Sequence, residues 1–334
     1  MDELESIPKP IKRIGTAREG EPDDVLLCCA SYEERCTGAL RILEKYKCRQ
    51  SYVFVYNEPD TRRDGYLDEM KQRLSNCGET AVIPTSKEDP FSSFGELNKK
   101  LMEMSLDRDQ SIITIDITTF TKKHLLLLLR NLDMLGFWDS IRLIYSEPGD
   151  YVANDRSPNS FGLRQICALP GFVHTQPLNK PILLLIFLGY ESDRAWALFD
   201  NLDPNETMLI IPRPAYRSNW EGRTERLNKN LINLLGQQRI SYAHSIDSSQ
   251  VASSLKAIFS KGGKYSLDDW DCYIAPLGTK PQTVGLYLFW RERVGSFSVI
   301  YAQLSSSHLN LDTEGVGQVW LLKNATPAKK DFYV

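Results

Sequence analysis

The fold is decided at residues 112–129, which read Ile-Ile-Thr-Ile-Asp-Ile-Thr-Thr-Phe-Thr-Lys-Lys-His followed by five leucines. An apolar run ends at Asp116, a hydroxyl-rich turn follows, and Lys122 begins a strongly apolar segment. This pattern predicts a strand, a loop and the start of a helix, an arrangement that presents backbone N–H groups to an anion. A second copy occurs in Tyr273-Ile-Ala-Pro-Leu-Gly-Thr-Lys-Pro-Gln, where Thr279-Lys280 lies 158 residues after Thr121-Lys122.

The composition is that of a globular protein large enough for two domains. The chain has 334 residues, of which 42% are hydrophobic and 25% charged. A formal net charge of −3 gives no reason to expect duplex DNA or RNA as a partner. The first residues lack a signal-peptide pattern and the apolar runs are too short to cross a bilayer, so we expect a cytoplasmic protein with no membrane partner. The seven cysteines include no C-x-x-C pair and are expected to be free thiols.

Apolar segments alternate with helix-like segments along the chain, which predicts parallel sheets covered by helices on both faces. After a polar, loosely attached arm over residues 1–22, strands are predicted at 25–30, 51–56, 80–84, 112–116 and 140–145, with helices at 33–46, 61–76, 91–106 and 121–135. The pattern restarts with strands at 182–188, 207–211, 239–243, 271–275 and 297–302, and helices at 192–202, 219–235, 248–260 and 280–293. Further short strands are predicted at 161–169 and 318–323.

These patterns predict an α/β fold of two tandem Rossmann-like parallel-sheet domains, each with a short strand-containing C-terminal extension. The predicted domains cover residues 23–180 and 181–334. Internal duplication is predicted because the Tyr-Glu pairs at 32–33 and 190–191 have the same 158-residue offset as the Thr-Lys pairs. The alternative is two unrelated Rossmann-like domains whose common architecture produces similar spacing.

Polar residues cluster in the loops after the first and fourth predicted strands of each half, where open parallel sheets bind their ligands. If the halves pack about a pseudo-two-fold axis, the four loops line one cleft whose cations, hydroxyls and amides suit phosphates, while tyrosines stack on bases. The predicted ligand-binding residues are Ser31, Tyr32, Glu33, Arg35, Thr118, Thr119, Thr121, Lys122, Gly189, Tyr190, Glu191, Arg194, Gly278, Thr279 and Lys280. The structural alternative is that the threonines cap a helix, the lysines are solvated and the glutamates complement helix dipoles.

The motifs of several enzyme classes are missing from the sequence. It has no G-x-G-x-x-G after the first strand, no G-x-x-x-x-G-K-[ST] and no G-x-S-x-G. The four histidines show no metal-ligand spacing, and His124 is predicted to lie on a helix surface. We therefore predict no cofactor and no metal site, and the sequence identifies no catalytic residue.

Both Thr-Lys loops resemble the Gly-Thr-Lys loop after the fourth strand of CARF domains, the CRISPR-associated Rossmann folds. The resemblance is carried by Asp116-Ile-Thr-Thr-Phe-Thr-Lys-Lys, by Pro276-Leu-Gly-Thr-Lys-Pro and by the short polar loop after the first strand. CARF domains pair about a two-fold axis and bind cyclic oligonucleotides, often cyclic oligoadenylates, across the pair. SAVED domains resemble two such units in one chain. The first copy departs from the family, with Thr-Phe where Gly-Gly is favoured.

The resemblance implies a nucleotide-binding or nucleotide-sensing protein of a prokaryotic antiviral defence system. Its ligand would be a nucleotide or cyclic oligonucleotide, and its partner a separate effector protein. One alternative is an enzyme that processes the nucleotide in the same cleft, by metal-independent phosphodiester cleavage. Another is a non-catalytic interaction scaffold of a defence complex, which should expose a large apolar surface.

Overall fold

A computed structural model describes residues 9–18, 20–43, 45–151, 160–174, 180–260, 262–307 and 313–322. Residues 1–8 and 19 of the predicted arm, and residue 323 of the last predicted strand, lie outside this part. The chain forms two compact units, one built from residues up to 152 and from 312 onwards, the other from the residues between. Both units are α/β with mostly parallel sheets, which confirms the predicted fold class.

The helices and strands follow one another along the chain in the predicted alternation. The first series is β1 (Lys9–Pro10), β2 (Asp23–Ala30), α1 (Gly38–Arg41), β3 (Cys48–Tyr56), α2 (Thr61–Leu74), β4 (Glu79–Thr85), α3 (Phe91–Glu103), β5 (Ile113–Asp116), α4 (Lys122–Met134) and β6 (Ile141–Asp150). The second series is β7 (Ser160–Ala168), β8 (Ile182–Phe187), α5 (Ser192–Leu202), β9 (Glu206–Pro212), α6 (Arg223–Leu227), α7 (Lys229–Leu235), β10 (Ile240–Ala243), α8 (Ser248–Ile258), β11 (Asp271–Pro276), α9 (Lys280–Glu292) and β12 (Ser298–Ser307). The last element is β13 (Glu314–Leu322).

The two sheets share one strand order. The first sheet runs β4-β3-β2-β5-β6-β13-β1 and the second runs β10-β9-β8-β11-β12-β7. Counting the parallel strands from β2 in the first sheet and from β8 in the second, each sheet reads third, second, first, fourth and fifth strand, followed by an antiparallel strand. In both, the order reverses between the first and fourth strands, which is the switch point where ligands of doubly wound sheets bind.

The outer antiparallel strands differ from the predicted domain division. β7 was assigned to the extension of the first domain but pairs with β12, and β13 was assigned to the second but pairs with β6. The predicted domains over 23–180 and 181–334 therefore require correction, because each half of the sequence contributes one strand to the sheet of the other. An edge strand is held by backbone hydrogen bonds, so its residue pattern does not say which of two similar edges it joins.

The described part of the N-terminal arm is attached to the first unit. β1 pairs with β13, and Ile11 and Ile14 are buried in the core beside α1. The Arg142 guanidinium donates to the Gly15 carbonyl at 2.9 Å and lies 3.3 Å from the buried Asp23 carboxylate. The prediction of a loosely attached arm is thus wrong for this part of it.

Two predicted helices are broken in the structure. Residues 34–37 form a 3-10 turn and α1 is a single turn, where a helix over 33–46 was predicted. A Cβ on Gly38 would lie 2.6 Å from a methyl carbon of Val316 in β13, so this segment is shaped by a distant strand. The predicted helix over 219–235 is interrupted at Gly222, whose φ of 73° is left-handed, and again at Asn228 between α6 and α7.

The central turns of the helix that follows β5 are fully buried. All five leucines of α4, Leu125–Leu129, have at most 2% of their surface exposed. A helix that is apolar around its circumference belongs in the centre of a fold, and its burial fixes the orientation of its N-terminal turn. Among the described helices, none combines the length and apolar character needed to span a membrane.

Candidate functional site

The Thr-Lys turn of the first unit begins α4 at the carboxyl end of β5. Thr121 is the N-cap, and its hydroxyl accepts the His124 N–H at 3.1 Å. The Thr121 N–H donates to the Tyr56 hydroxyl at 2.9 Å, so this turn is braced from the end of β3. Lys122 is the first helical residue and is partly exposed. Lys122 therefore stands at the positive end of the helix dipole.

The second unit repeats this turn at the carboxyl end of β11. Thr279 caps α9 in a capping box: its hydroxyl accepts the Gln282 N–H at 3.1 Å, while its own N–H donates to Gln282 Oε1 at 3.0 Å. The Thr279 hydroxyl also donates to the Ser245 carbonyl at 2.7 Å. Lys280 is again the first helical residue and partly exposed. Both threonines therefore shape the turn, and the lysines are the side chains that it presents.

Glycines bring two loops of the second unit together at the switch point. A Cβ on Gly189, after β8, would lie 2.3 Å from the Leu277 carbonyl oxygen after β11. A Cβ on Gly278 would lie 2.1 Å from Gln282 Oε1. Only glycine allows these approaches without displacement of the backbone or the capping side chain. Gly189 and Gly278 are thus explained by the contact between the loops.

Two other predicted ligand-binding residues of the first unit have structural partners. Thr118 is fully buried; its hydroxyl donates to Asp116 and accepts the Ser146 N–H at 2.9 Å. The Thr119 hydroxyl donates to the Cys29 carbonyl at the end of β2 at 2.5 Å. These hydroxyls attach the loop after β5 to the neighbouring strands β2 and β6 and do not cap α4, whose N-cap is Thr121. The ligand role of Thr118 and Thr119 stays a prediction.

A glutamate–arginine–tyrosine cluster follows the first strand of the first unit. The Arg35 guanidinium donates to Glu33 at 2.8 Å and to the Tyr145 hydroxyl at 3.4 Å, with both charged side chains largely buried. Burial lowers the pKa of Arg35, but Glu33, Tyr145 and Tyr151 together raise it by more, so the pKa lies above its ordinary value and the charge is retained. The Ser31 hydroxyl accepts the Glu33 N–H at 3.3 Å instead of capping a long helix.

The second unit has the same cluster. The Arg194 guanidinium donates to Glu191 at 2.6 Å, to the Tyr301 hydroxyl at 3.4 Å and twice to the Ala302 carbonyl, at 2.9 and 3.1 Å. Burial lowers the pKa of Arg194, whereas Tyr301 and Glu191 raise it, with a net increase. Arg35 and Arg194 therefore join the loop after the first strand to the fifth strand of their units.

Arginines lie over the two tyrosines that were predicted to stack on bases. The Arg62 guanidinium, in the first turn of α2, is 5.4 Å from the centroid of the Tyr32 ring. The Arg223 guanidinium, at the start of α6, is 4.7 Å from the centroid of the Tyr190 ring. Sequence reasoning missed both arginines. Their common position, at the start of the helix after the second strand, was the signal available.

His124 lies in the core and not on the helix surface, so that prediction is wrong. It is fully buried, and ring contacts at centroid distances of 5.0–5.9 Å surround it with Phe54, Tyr56, Phe94 and Phe120. Its Nδ1 is 3.3 Å from the Tyr56 hydroxyl. Burial lowers the pKa of His124 to about 3, so the ring is neutral at pH 7 and stabilises the wall behind the Thr121 turn.

A cavity and the arrangement of possible metal ligands were also considered as binding sites. A cavity of about 650 Å³ in the second unit lies beside the start of α5, and its wall includes Ser192, Glu225, Arg226 and Lys229. It does not include the Thr279-Lys280 turn. Within the described ranges, no group of three or more histidine, cysteine or acidic side chains has the arrangement of a metal site.

The comparisons with known proteins assign no family. Neither the family models nor the curated proteins compared with this chain give a match. The resemblance of the Thr-Lys loops to CARF domains therefore stays a prediction, and so does the shared cleft.

Proposed function

We propose that the protein binds a nucleotide or oligonucleotide whose phosphates contact the turns Thr121-Lys122 and Thr279-Lys280. The observation that carries this proposal is the recurrence of one turn in two sheets of the same strand order. In each, a threonine caps the helix after the fourth strand and a lysine is the first helical residue. The turn adjoins the switch point, and a helix N-terminus with a lysine is suited to phosphate oxygens.

The neighbouring loop supplies groups suited to the rest of a nucleotide. Tyr32 with Arg62, and Tyr190 with Arg223, place an aromatic ring and a guanidinium after the first strand of each unit. Such groups stack on bases and pair with phosphates. The Glu-Arg-Tyr clusters position these loops, because Glu33 and Glu191 directly follow the tyrosines.

A cyclic oligonucleotide signal of a prokaryotic antiviral defence system is the ligand class that the resemblance to CARF and SAVED domains favours. In this proposal the two units are duplicated copies, and the protein acts in the cytoplasm by transmitting the ligand signal to a separate effector protein. The identical order of five parallel strands in the two units supports the proposed duplication.

The test begins with mass spectrometry of small molecules released from the purified protein, followed by calorimetric titration with linear and cyclic oligonucleotides. We expect Lys122→Ala and Lys280→Ala each to weaken binding about 10- to 150-fold, because a hydrogen bond from a charged group contributes about 1.5–3 kcal/mol. Lys123→Ala and Lys264→Ala are matched controls, since each removes one ammonium group from a position other than the first residue of α4 or α9. Unchanged affinity in both test variants would refute the proposal.

The two alternative functions stay predictions that the same experiments check. Linear products after incubation with cyclic oligonucleotides would identify a nucleotide-processing enzyme. His124 is a poor general acid or base for that reaction, since it is neutral and enclosed by aromatic rings. Failure of every oligonucleotide to bind would leave the interaction scaffold as the better hypothesis.

A further inference from the structure

Two cysteines face each other at the amino end of β3, far along the chain from the Thr-Lys turns. Strands β3 and β4 are parallel, with Gln50 opposite Glu79 and every following pair in the same register. Extending that register by two residues places Cys48 opposite Cys77. The Gly78 N–H donates to the Cys48 carbonyl at 2.8 Å, which is the bond that a continued parallel ladder requires.

This juxtaposition satisfies the distance requirement of a disulfide. Neighbouring strands lie about 4.7–4.9 Å apart, and bridged cysteines have Cα atoms about 4.4–6.8 Å apart. Residues that lie opposite each other on parallel strands carry their side chains on the same face of the sheet, so this register makes the two cysteine side chains neighbours. Both cysteines pack against the same apolar cluster of the first unit, and both are free thiols in the structure.

We propose that Cys48 and Cys77 are a redox modification site that forms a reversible intramolecular disulfide. Cys77, which is partly exposed, is the attacking thiol, and the buried Cys48 is the resolving thiol. The neighbouring Cys48 thiol and backbone N–H lower the pKa of Cys77 to about 7, against the raising effect of burial, which favours the thiolate. Burial dominates at Cys36 instead and raises the pKa of that thiol to about 12.

The oxidant is a low-molecular-weight disulfide such as oxidised glutathione. The Cys77 thiolate attacks one sulfur of that disulfide, the S–S bond breaks and one glutathione thiolate leaves. Cys48 then loses its proton to solvent and attacks the Cys77 sulfur, releasing the second glutathione. Two protein thiols are oxidised to one disulfide while one glutathione disulfide is reduced to two thiols.

The site is independent of the proposed nucleotide function. Cys77 follows the C-terminal end of α2, whereas Arg62 lies in its first turn. A helix of fourteen residues is about 21 Å long. The cross-link would fasten the end of α2 and the start of β4 to β3, at the opposite end of that helix from Tyr32.

To test the proposal, the protein is equilibrated in glutathione buffers with an increasing fraction of oxidised glutathione. Each sample is then quenched with acid and alkylated, and its peptides are mapped without reduction. We expect a Cys48–Cys77 cross-linked peptide in the wild type. Cys48→Ser should accumulate glutathione on Cys77, because the resolving thiol is missing, and Cys77→Ser should form neither product. Cys167→Ser is the matched control, since Cys167 is also partly exposed, and it should cross-link like the wild type.

Two outcomes would overturn the proposal. One is full alkylation of Cys48 and Cys77 at the most oxidising ratio, and the other is a disulfide that joins Cys77 to a different cysteine. Circular dichroism of the reduced variants checks their folding, and Cys48→Ala replaces Cys48→Ser if the serine variant does not fold.

Discussion

Arg194 is predicted to bind the ligand, its contacts are those of a structural clamp, and Arg194→Met distinguishes the two roles. The guanidinium donates four hydrogen bonds, to Glu191, Tyr301 and the Ala302 carbonyl. Methionine retains most of the side-chain volume but supplies none of these donors. The variant therefore leaves the Glu191 carboxylate and the buried Ala302 carbonyl without the arginine.

The expected loss follows from burial. Removing one partner of a buried ion pair costs about 3–5 kcal/mol. The Arg194 side chain is 11% exposed and that of Glu191 is 24% exposed, so water replaces part of the lost interaction. We expect Arg194→Met to lower the free energy of unfolding by about 2–4 kcal/mol. Arg35→Met should cost more, about 3–5 kcal/mol, because the side chains of Arg35 and Glu33 are only 8% and 11% exposed.

Urea denaturation monitored by circular dichroism measures this loss of stability. Peptide-resolved hydrogen exchange shows whether exchange increases in β12 and at the start of α5. Arg194→Lys is the matched variant: it keeps the positive charge, but one ammonium cannot donate in the forked geometry, so less than half of the stability should return. The reasoning is refuted if Arg194→Met changes the free energy of unfolding by less than about 0.5 kcal/mol. A loss of oligonucleotide binding with unchanged stability would restore the ligand role.

Three further predictions concern the loops and helix starts of the candidate site. Gly189→Ala should lower the free energy of unfolding by about 1–3 kcal/mol in urea denaturation, because the new methyl group overlaps the Leu277 carbonyl; Gly65→Ala, which meets no atom within 4 Å in the exposed part of α2, should be neutral or stabilising. Thr279→Ala should cost about 1–2 kcal/mol and increase hydrogen exchange in the first turn of α9, whereas Thr279→Ser should retain the cap. Burial holds the pKa of His124 at about 3, whereas the unfolded chain binds the proton near the ordinary pKa of 6.5. The free energy of unfolding should therefore fall as the pH drops from about 6.5 towards 3, with a slope of up to about 1.4 kcal/mol per pH unit. Urea denaturation at several pH values measures this slope, and His124→Gln should remove it.

The parallel strands and the helix starts could be predicted because their signals are local. The strand predicted at 182–188 is observed as Ile182–Phe187, and the one at 271–275 as Asp271–Pro276. Continuous apolar runs mark strands that are buried on both faces. Thr121 caps its helix, as the structural alternative to a ligand role held, and Thr279 caps the corresponding helix of the second unit.

The missed features depend on residues that are distant in sequence. Gly38 lacks a side chain because Val316 occupies the adjacent space, and a window of local residues contains no information about that contact. The assignment of β7 and β13 failed for the same reason, since two sheets of the same strand order offer similar edges. The local sequence around Arg35 likewise does not show its contact with Tyr145, which lies 110 residues further along the chain.

The backbone N–H groups of the capping threonines Thr121 and Thr279 have different hydrogen-bond acceptors in the two units. Gln282 accepts the Thr279 N–H from within the same helical turn. The equivalent residue of the first unit is His124, and there the acceptor is the Tyr56 hydroxyl, which reaches the turn from β3. A buried or partly buried cap N–H needs an acceptor, so both solutions hold the turn in one geometry with unrelated side chains. If the units are duplicated copies, as we propose, the bracing residues have diverged while the capping threonine and the lysine have not. Helix capping alone would retain only the threonine. A lysine at the first helical position is unfavourable to the helix dipole, and the phosphate ligand that we propose would account for its presence in both units.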